Sequence, residues 1–181
     1  MSAVRRLVVE PLGRHHDRAG FSCGVQELDG YFARQAGQDT RRRIATVFVI
    51  VDEDKPSKAL GFYTLSAITI SARELPEKMA RKLPRHPLSA ALIGRLAIDL
   101  AEQGAGLGAS LIMDAVSRAL AVSAEVAIFA IVVDAKDEDA KRFYQHFGIR
   151  SLAGGRHRLF WPLTPIAKDL RTPSSVPLKK R

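Results

Sequence analysis

A chain of 181 residues is long enough for one well-buried domain and short for two. Its formal net charge of +9 favours a polyanion such as nucleic acid as a partner and counts against an acidic, polyamine-type site. No apolar run approaches the roughly 18 residues that cross a bilayer, and no signal-type apolar core follows Arg5 and Arg6, so we expect a cytoplasmic protein without a membrane partner. Cys23 is the only cysteine, which excludes an internal disulfide and indicates a small buried hydrophobe.

The N-terminal half is predicted to form a strand, a polar loop, an amphipathic helix, a basic connection and an antiparallel hairpin. These elements are Arg6–Pro11, the loop to residue 20 with two solvated histidines (His15 and His16), the apolar positions from Val25 to Ala36, Thr40–Arg43, and the strands Ile44–Val51 and Ala59–Ser71.

The C-terminal half alternates strands and helices. Its predicted elements are a short helix and irregular loop in Leu75–Arg85, the strand Leu92–Asp99, a glycine loop, a helix from Ala109, the buried strand Val126–Val133, the helix Asp137–Phe147 and a last strand, Arg158–Pro162. We predict one domain of the α/β class, with a mixed sheet, over residues 1–168. A basic, flexible tail over residues 169–181 is expected to follow it.

The glycine loop is the strongest local signal. A strand, the run Gln103–Gly108 and a helix start follow one another, so loop amides and the free N–H groups of the first helical turn converge on one point. This arrangement predicts a site for a phosphate-bearing cofactor. Gly104–Ala109 also fits the relaxed dinucleotide pattern GxGxxA, but a helix and a hairpin precede the loop and too little chain follows it, which counts against a dinucleotide fold.

Two motifs in the right order resemble those of the GNAT superfamily of N-acetyltransferases. Gln103-x-x-Gly106-x-Gly108 after Arg95–Asp99 is similar to its acetyl-CoA pyrophosphate loop, and the A-x-x-x-Y-x-x-x-G pattern from Ala140 to Gly148 is similar to its closing helix. The resemblance implies a GNAT-like domain, with a mixed but mostly antiparallel twisted sheet flanked by helices, and acetyl-CoA as the cofactor.

Further segments resemble the toxins of TacT type from bacterial type II toxin–antitoxin systems, over about residues 7–163. They are Phe21–Gly24 with Leu28-Asp29, Gly61–Ser66, Leu83–Arg85, Gly94–Asp99 and Val133–Ala135. Ile149, where the family often has Phe, and Ser89, in a stretch often richer in proline, are small departures.

The resemblance to these toxins implies an enzyme that acetylates the α-amine of aminoacyl-tRNA and so blocks translation. It also implies a ribbon-helix-helix antitoxin, contact with DNA only through the antitoxin complex, and a possible homodimer. Two alternatives stay open: a GNAT enzyme acting on a protein N-terminus or small-molecule amine, and a non-catalytic module that binds acyl-CoA or a partner.

The resemblance assigns cofactor-binding residues to the motif strand, the loop and the closing helix. The backbone of the strand would pair with the pantetheine arm, and the loop would hold the pyrophosphate. These residues are Leu96, Ala97, Ile98, Gln103, Gly104, Ala105, Gly106, Leu107, Gly108, Ala109, Asp137, Ala140 and Phe143.

Tyr144 is the candidate catalytic acid. Its phenol is protonated at neutral pH and could donate to the leaving sulfur. The sequence offers no evident general base, and this fits an α-amine acceptor, because such an amine titrates near pH 8 and has a substantial neutral fraction without help. No metal is expected.

Basic side chains supply the predicted tRNA contacts, which give affinity and position rather than base specificity. They flank the predicted acceptor side and are Arg41, Arg42, Arg43, Lys78, Arg81, Lys82, Arg85 and Arg95. Arg95 lies inside the motif strand, where a charge requires a partner or a function. It could pair with Asp99, or face the tRNA or the antitoxin.

Overall fold

Seven strands form one sheet in the order β1-β2-β3-β4-β5-β7-β6 in a computed structural model that describes residues 5–164. All neighbours are antiparallel except β4 and β5, which run parallel. The strands are β1 Leu7–Pro11, β2 Thr46–Asp52, β3 Gly61–Ile70, β4 Leu88–Ile98, β5 Ala130–Asp134, β6 Arg150–Ser151 and β7 Arg158–Pro162. The predicted tail, residues 169–181, lies outside the described residues, as do residues 1–4 and 165–168 of the predicted domain.

Helices cover both faces of this sheet. They are α1 Gln26–Arg34, α2 Ala36–Arg41, α3 Glu77–Ala80, α4 Leu107–Val122 and α5 Glu138–His146. Alternate residues of β2 divide between the faces: Phe48 and Ile50 pack with α4, whereas Val47 and Val49 pack with α1. The predicted class, a mixed and mostly antiparallel sheet flanked by helices, is confirmed. No helix within residues 5–164 is long and apolar enough to cross a membrane.

A polar network fixes α4 to the sheet. The Tyr63 hydroxyl donates to the Asp114 carboxylate at 2.6 Å, and Arg118 Nε donates to the same oxygen at 2.7 Å. The Arg118 guanidinium also lies 4.0 Å from the centre of the Phe48 ring. Since each polar group here has a partner, the network orients α4, and therefore the loop before it, without an unsatisfied buried group.

Several predicted boundaries are wrong because pairing partners distant in sequence decide them. β4 begins at Leu88 rather than Leu92, since β3 extends to Ile70 and pairs with Leu88. β5 begins at Ala130 rather than Val126, because its first pair with β4 joins Ala130 to Ala90. The short strand β6 had no apolar alternation to predict it.

The helical segment before β2 also differs from the prediction. It divides at Gln35 into α1 and α2, and α2 continues through Thr40 to Arg41, which were predicted to lie in a connection. The helix after the glycine loop begins at Leu107, two residues before the predicted start.

Of the two histidines in the first loop, which were both predicted to be solvated, only one is exposed. His15 is exposed, but His16 is buried, with Nδ1 accepting the Gly13 N–H at 2.8 Å and Nε2 lying 2.9 Å from the Glu10 carboxylate. Burial is the main cause that lowers the pKa of His16. Because Nδ1 accepts a hydrogen bond, Nε2 carries the proton and donates to Glu10, so His16 ties the loop to β1 rather than offering a free lone pair to a metal.

Candidate active site

Two side chains at the start of the glycine loop, Gln103 and Asp99, fix its position by hydrogen bonds to the backbone. The Gln103 side-chain amide donates to the carbonyl oxygens of Cys23, at 3.0 Å, and Ile98, at 3.1 Å. The buried Asp99 carboxylate accepts the N–H groups of Ser22 and Ala101. Gln103, predicted to bind the cofactor, therefore uses its side-chain N–H groups to fix the loop, and Asp99 is not the partner of Arg95.

The loop presents free amides at the start of α4. Gly104 and Gly106 have φ angles of +81° and +82°, and a Cβ at either would meet no atom within 4 Å. No side chain caps the helix. Among residues 5–164, no acceptor bonds the N–H groups of Gly104, Gly106, Leu107, Gly108 and Ala109. The Ala105 N–H is different, because it lies 3.4 Å from the Glu102 carbonyl. An open, uncapped helix start of this kind fits a pyrophosphate.

The strands β4 and β5 separate beside this loop. They pair from Ala90 with Ala130 as far as Ile93 with Val133, and beyond that point no described strand pairs with this edge of β4. A bulge at Gly94 and Arg95 marks the separation, since the register shifts between the pairs Tyr63–Leu96 and Leu65–Ile93. The split leaves the edge of Leu96–Ile98 open, as pairing with a pantetheine arm would require.

The helix α5 lies against the start of α4 and brings the two sequence motifs together. The Asp137 carboxylate accepts the Ala140 N–H at 2.9 Å and caps the helix, so both residues shape the helix start. The Phe143 ring lies over the loop, because a Cβ on Gly108 would approach its Cζ to 2.8 Å. Phe143 keeps 37% of its surface exposed at this position.

Tyr144 lies on the buried side of α5. It is 5% exposed and packs in the cluster that includes Leu107 of α4 and Ile149. Burial alone raises the pKa of its phenol, since no charged or hydrogen-bonding group acts on it. Its hydroxyl has no hydrogen-bond partner within the described part of the chain. A protonated, unengaged donor next to the split is what proton delivery to a leaving group needs.

The opposite face of the sheet carries Arg95. Its guanidinium lies 3.9 Å from the centre of the Tyr31 ring, and the Tyr31 hydroxyl donates to Asp39 at 3.0 Å. The Arg95 N–H donates to the buried Thr64 hydroxyl at 3.0 Å, across the bulge. Burial is the main cause that raises the pKa of Tyr31 to about 12. Arg95 is thus exposed on this face and held by an aromatic ring rather than by a carboxylate.

The predicted tRNA-binding clusters lie on this same face. α2, which ends at Arg41, packs against the sheet through Ala36, whereas α3 and the turn after it pack through Met79 and Leu83. All seven clustered cations are exposed, and within residues 5–164 only Arg81 among them forms an ion pair, with Glu77; they are Arg41, Arg42, Arg43, Lys78, Arg81, Lys82 and Arg85. At the split, the free amides and Tyr144 therefore lie on one face of the sheet, and the cations lie on the opposite face.

An uncapped glycine loop beside a split between parallel strands is the arrangement expected of an acyltransferase. Residues 22–149 match the Acetyltransferase (GNAT) family, and the chain belongs to that family. It is an N-acetyltransferase, and acetyl-CoA is its donor. The dinucleotide alternative is wrong, because the loop follows the fourth strand of a mixed sheet rather than the first of successive parallel units.

Named relatives include two curated bacterial proteins. The chain is 28% identical to the probable toxin TacT of Sinorhizobium fredii over 174 residues, which is 91% of this chain and 96% of the relative. It is 32% identical to a tRNA-acetylating toxin of Mycobacterium tuberculosis over 131 residues, which is 72% of this chain and 76% of that protein.

Solved structures of similar fold include AtaT complexed with acetyl-methionyl-tRNAfMet, with a TM-score of 0.86, 28% identity and coverage of 91% of this chain and 99% of that one. A tyrosine-to-phenylalanine variant of AtaT, bound to the C-terminus of the antitoxin AtaR and to acetyl-CoA, gives a TM-score of 0.78 at 25% identity, covering 92% and 99% of the two chains.

Sequence reasoning missed the residues that position the site from a distance. One is Thr64, whose hydroxyl accepts a hydrogen bond at the bulge. The others are Tyr31, whose ring contacts Arg95, and Asp39, which accepts the Tyr31 hydroxyl. No local sequence pattern predicts such residues, because Thr64 and Arg95, for example, lie 31 positions apart in the chain.

Proposed function

We propose that this protein is a toxin that transfers an acetyl group from acetyl-CoA to the α-amine of aminoacyl-tRNA and so blocks translation. The observation that carries the proposal is the two-sided split: free loop amides and Tyr144 lie on one side, and exposed cations lie on the other. A small cationic acceptor would be repelled by such a surface, whereas an RNA phosphate chain is attracted to it. The names of the relatives support the same substrate.

The donor would be held by this chain's backbone. The amides of Gly104, Gly106 and the first turn of α4 would bind the pyrophosphate, and the open edge of Leu96–Ile98 would pair with the pantetheine arm. Bound acetyl-CoA supplies an activated thioester at the split. Phe143 would pack against its arm above Gly108, while Asp137 and Ala140 would act by fixing the start of α5.

Tyr144 would protonate the departing thiolate. Its raised pKa keeps the phenol protonated throughout the neutral range, so the proton is present when the thiolate departs. The acceptor needs no strong base, because an α-amine has a pKa of about 7.7–8.0 and is partly neutral at physiological pH. The phosphates of the acceptor stem would lie on Arg41–Arg43, the cations around α3 and Arg95.

A protein antitoxin would neutralise the enzyme, as AtaR binds its own toxin. We infer that it is of the ribbon-helix-helix class and that DNA contacts come only through the complex. An enzyme that consumes charged tRNA would work in the cytoplasm. We also propose that residues 1–168 form a single catalytic domain followed by a basic tail, and that the protein forms a homodimer.

Incubation with labelled acetyl-CoA and total charged tRNA tests the substrate. We expect label that RNase releases and that mild base removes, because the acetylated amino acid is joined to RNA by an ester. A parallel sample with uncharged tRNA is the control, and it should take up no label. Label on protein or on a small-molecule amine would contradict the proposal and favour the alternative GNAT substrates. No transfer at all would favour the non-catalytic module.

A further inference from the structure

Asp134 lies at the point where β4 and β5 separate. It is the first residue of β5 beyond Val133, which forms the last pair with β4. Val133 packs into the cluster around α4, and side chains alternate along a strand. The Asp134 carboxylate therefore emerges on the opposite face, the one with Arg95 and the basic clusters.

A partner residue holds this carboxylate in place. Arg158, directly across from it on β7, donates through Nε to Oδ1 at 2.6 Å and through Nη2 to Oδ2 at 3.0 Å. The pair lines a groove of about 440 Å³ with Glu74, His157 and the two glycines 154 and 155. The Asp134 side chain is 40% exposed, so the groove reaches it.

The ion pair leaves acceptor capacity in the groove. A carboxylate offers about four lone-pair sites, and Arg158 takes two of them. The remaining sites suit a donor with several N–H groups and a positive charge. An α-ammonium has both properties, and it is the predominant form of an aminoacyl α-amine below its pKa of about 7.7–8.0.

We propose that Asp134 binds the α-ammonium of the acceptor at the split, with Arg158 as a positioning residue. This inference rests on the proposed function. On the acceptor face, Arg95 on β4 would then contact the RNA phosphates, and Asp134 on β5 would contact the amine through the lone pairs that Arg158 does not use. This arrangement would direct the nitrogen, rather than the phosphates, towards the donor.

The role has a kinetic signature. The bound ammonium first loses a proton to solvent, and the nitrogen becomes positive again as the neutral amine forms its bond to the acetyl carbon. When the carbon–sulfur bond breaks, the nitrogen loses a second proton to solvent, and the thiolate takes its proton from Tyr144, which is reprotonated from solvent. Asp134 would stabilise both positive states of the nitrogen to a similar extent, so its loss raises the KM for aminoacyl-tRNA more than it lowers kcat. The product amide is uncharged, and Asp134 would give it no such attraction.

The test compares two RNA probes on the full-length protein with CoA present. One is a minihelix that carries an amide-linked amino acid with a free α-amine, and the other is the same RNA with that amine acetylated. For Asp134→Asn we expect binding of the free-amine probe to weaken about fivefold to tenfold at pH 7, as loss of a charge-assisted hydrogen bond predicts. Binding of the acetylated probe should not change.

Asp139→Asn is the matched control, because it removes the same charge from an exposed carboxylate on α5 that pairs with Arg142. It should leave both affinities at the wild-type value. Equal weakening of both probes by Asp134→Asn, or no weakening of either, overturns the inference. A wild-type protein that acetylates charged tRNA but binds the two probes equally also overturns it, whereas failure of that acetylation contradicts the proposed function itself.

Discussion

The three tyrosines of the chain differ in what their hydroxyl groups contact. The hydroxyl of Tyr31 donates to Asp39 at 3.0 Å, and that of Tyr63 donates to Asp114 at 2.6 Å. Tyr144 is as well buried as the other two, yet only burial acts on its pKa. Among the three hydroxyls, that of Tyr144 is therefore the one that no side chain within residues 5–164 engages, and we assign it to proton donation.

Tyr144→Phe is expected to lower kcat by about a hundredfold or more, the contribution typical of a positioned general acid. The fold and acetyl-CoA affinity should be retained, because the substitution removes no hydrogen bond within the described residues. Steady-state kinetics, calorimetric binding of acetyl-CoA and thermal unfolding measure the three quantities. Turnover within a few-fold of wild type would exclude the proposed role.

Tyr63→Phe is the control for the same chemical change. Loss of its bond to the Asp114 carboxylate should lower the free energy of unfolding by about 1.5–3 kcal/mol. The turnover of the folded fraction should fall far less than in Tyr144→Phe, since the Tyr63 hydroxyl bonds to Asp114 of α4 and the substitution leaves its backbone pairing with Leu96 intact. The two variants are therefore expected to show opposite patterns.

The loop and the start of α4 act together as one element. Gly106 is the residue before the helix, and its φ of +82° belongs to the left-handed region that favours glycine. This conformation turns the chain so that the following amides point outward. No side chain caps the helix, which leaves these amides free for the proposed anion, and the loop is stabilised instead by hydrogen bonds of Gln103 and Asp99.

Gly106→Ala is expected to weaken acetyl-CoA binding by about tenfold or more, because an alanine relaxing from φ +82° would turn one loop amide away from the pyrophosphate and so remove one hydrogen bond to a charged group. Left-handed strain should also lower the free energy of unfolding by about 1 kcal/mol, or about 2–4 °C in melting temperature. Gly148→Ala separates the two effects. Its φ is +81° and its Cβ also meets open space, so it should share the destabilisation and keep the affinity. Equal affinities for both variants would contradict the loop assignment.

At the scale of the whole molecule, charge is divided between the faces of the sheet. The net charge of +9 alone indicates a polyanionic partner. The fold shows on which face of the sheet this charge lies, because the cations of α2 and α3 are on the face opposite Tyr144. An RNA bound there would approach the split from the side that the donor leaves open.

Replacing Arg41 and Arg42 by Ala is expected to raise the KM for aminoacyl-tRNA while leaving that for acetyl-CoA unchanged. A plot of log kcat/KM against log salt concentration should become less steep by about one unit for each phosphate that the variant no longer neutralises. Lys55→Ala with Lys58→Ala removes the same charge from the exposed turn at the other end of β2. If this control flattened the plot equally, only net charge would matter, and the cluster would not be a tRNA site.

The elements that depend on local pattern were predicted well. Local patterns of about a dozen residues or fewer predict three of these elements: the apolar spacing predicts α1, the β-branched run predicts β2, and the glycines predict the loop. The limits of β4 and β5 could not be predicted, because a strand extends only as far as its neighbour does. The burial of His16 was missed for a similar reason: its partner, Glu10, belongs to β1 and fixes the loop from outside.

The sequence by itself predicted the class of fold and identified the glycine loop and Tyr144 as candidates for donor binding and proton donation, since closely spaced residues carry these signals along one strand and one helix. The tertiary structure alone decided what lies on each side of the split. It placed Arg95 over Tyr31, gave Gln103 a role beneath the loop and set Asp134 beside Arg158. The physical reason is that the face of a sheet combines residues from strands that are distant in the chain, and only folding brings them within contact distance.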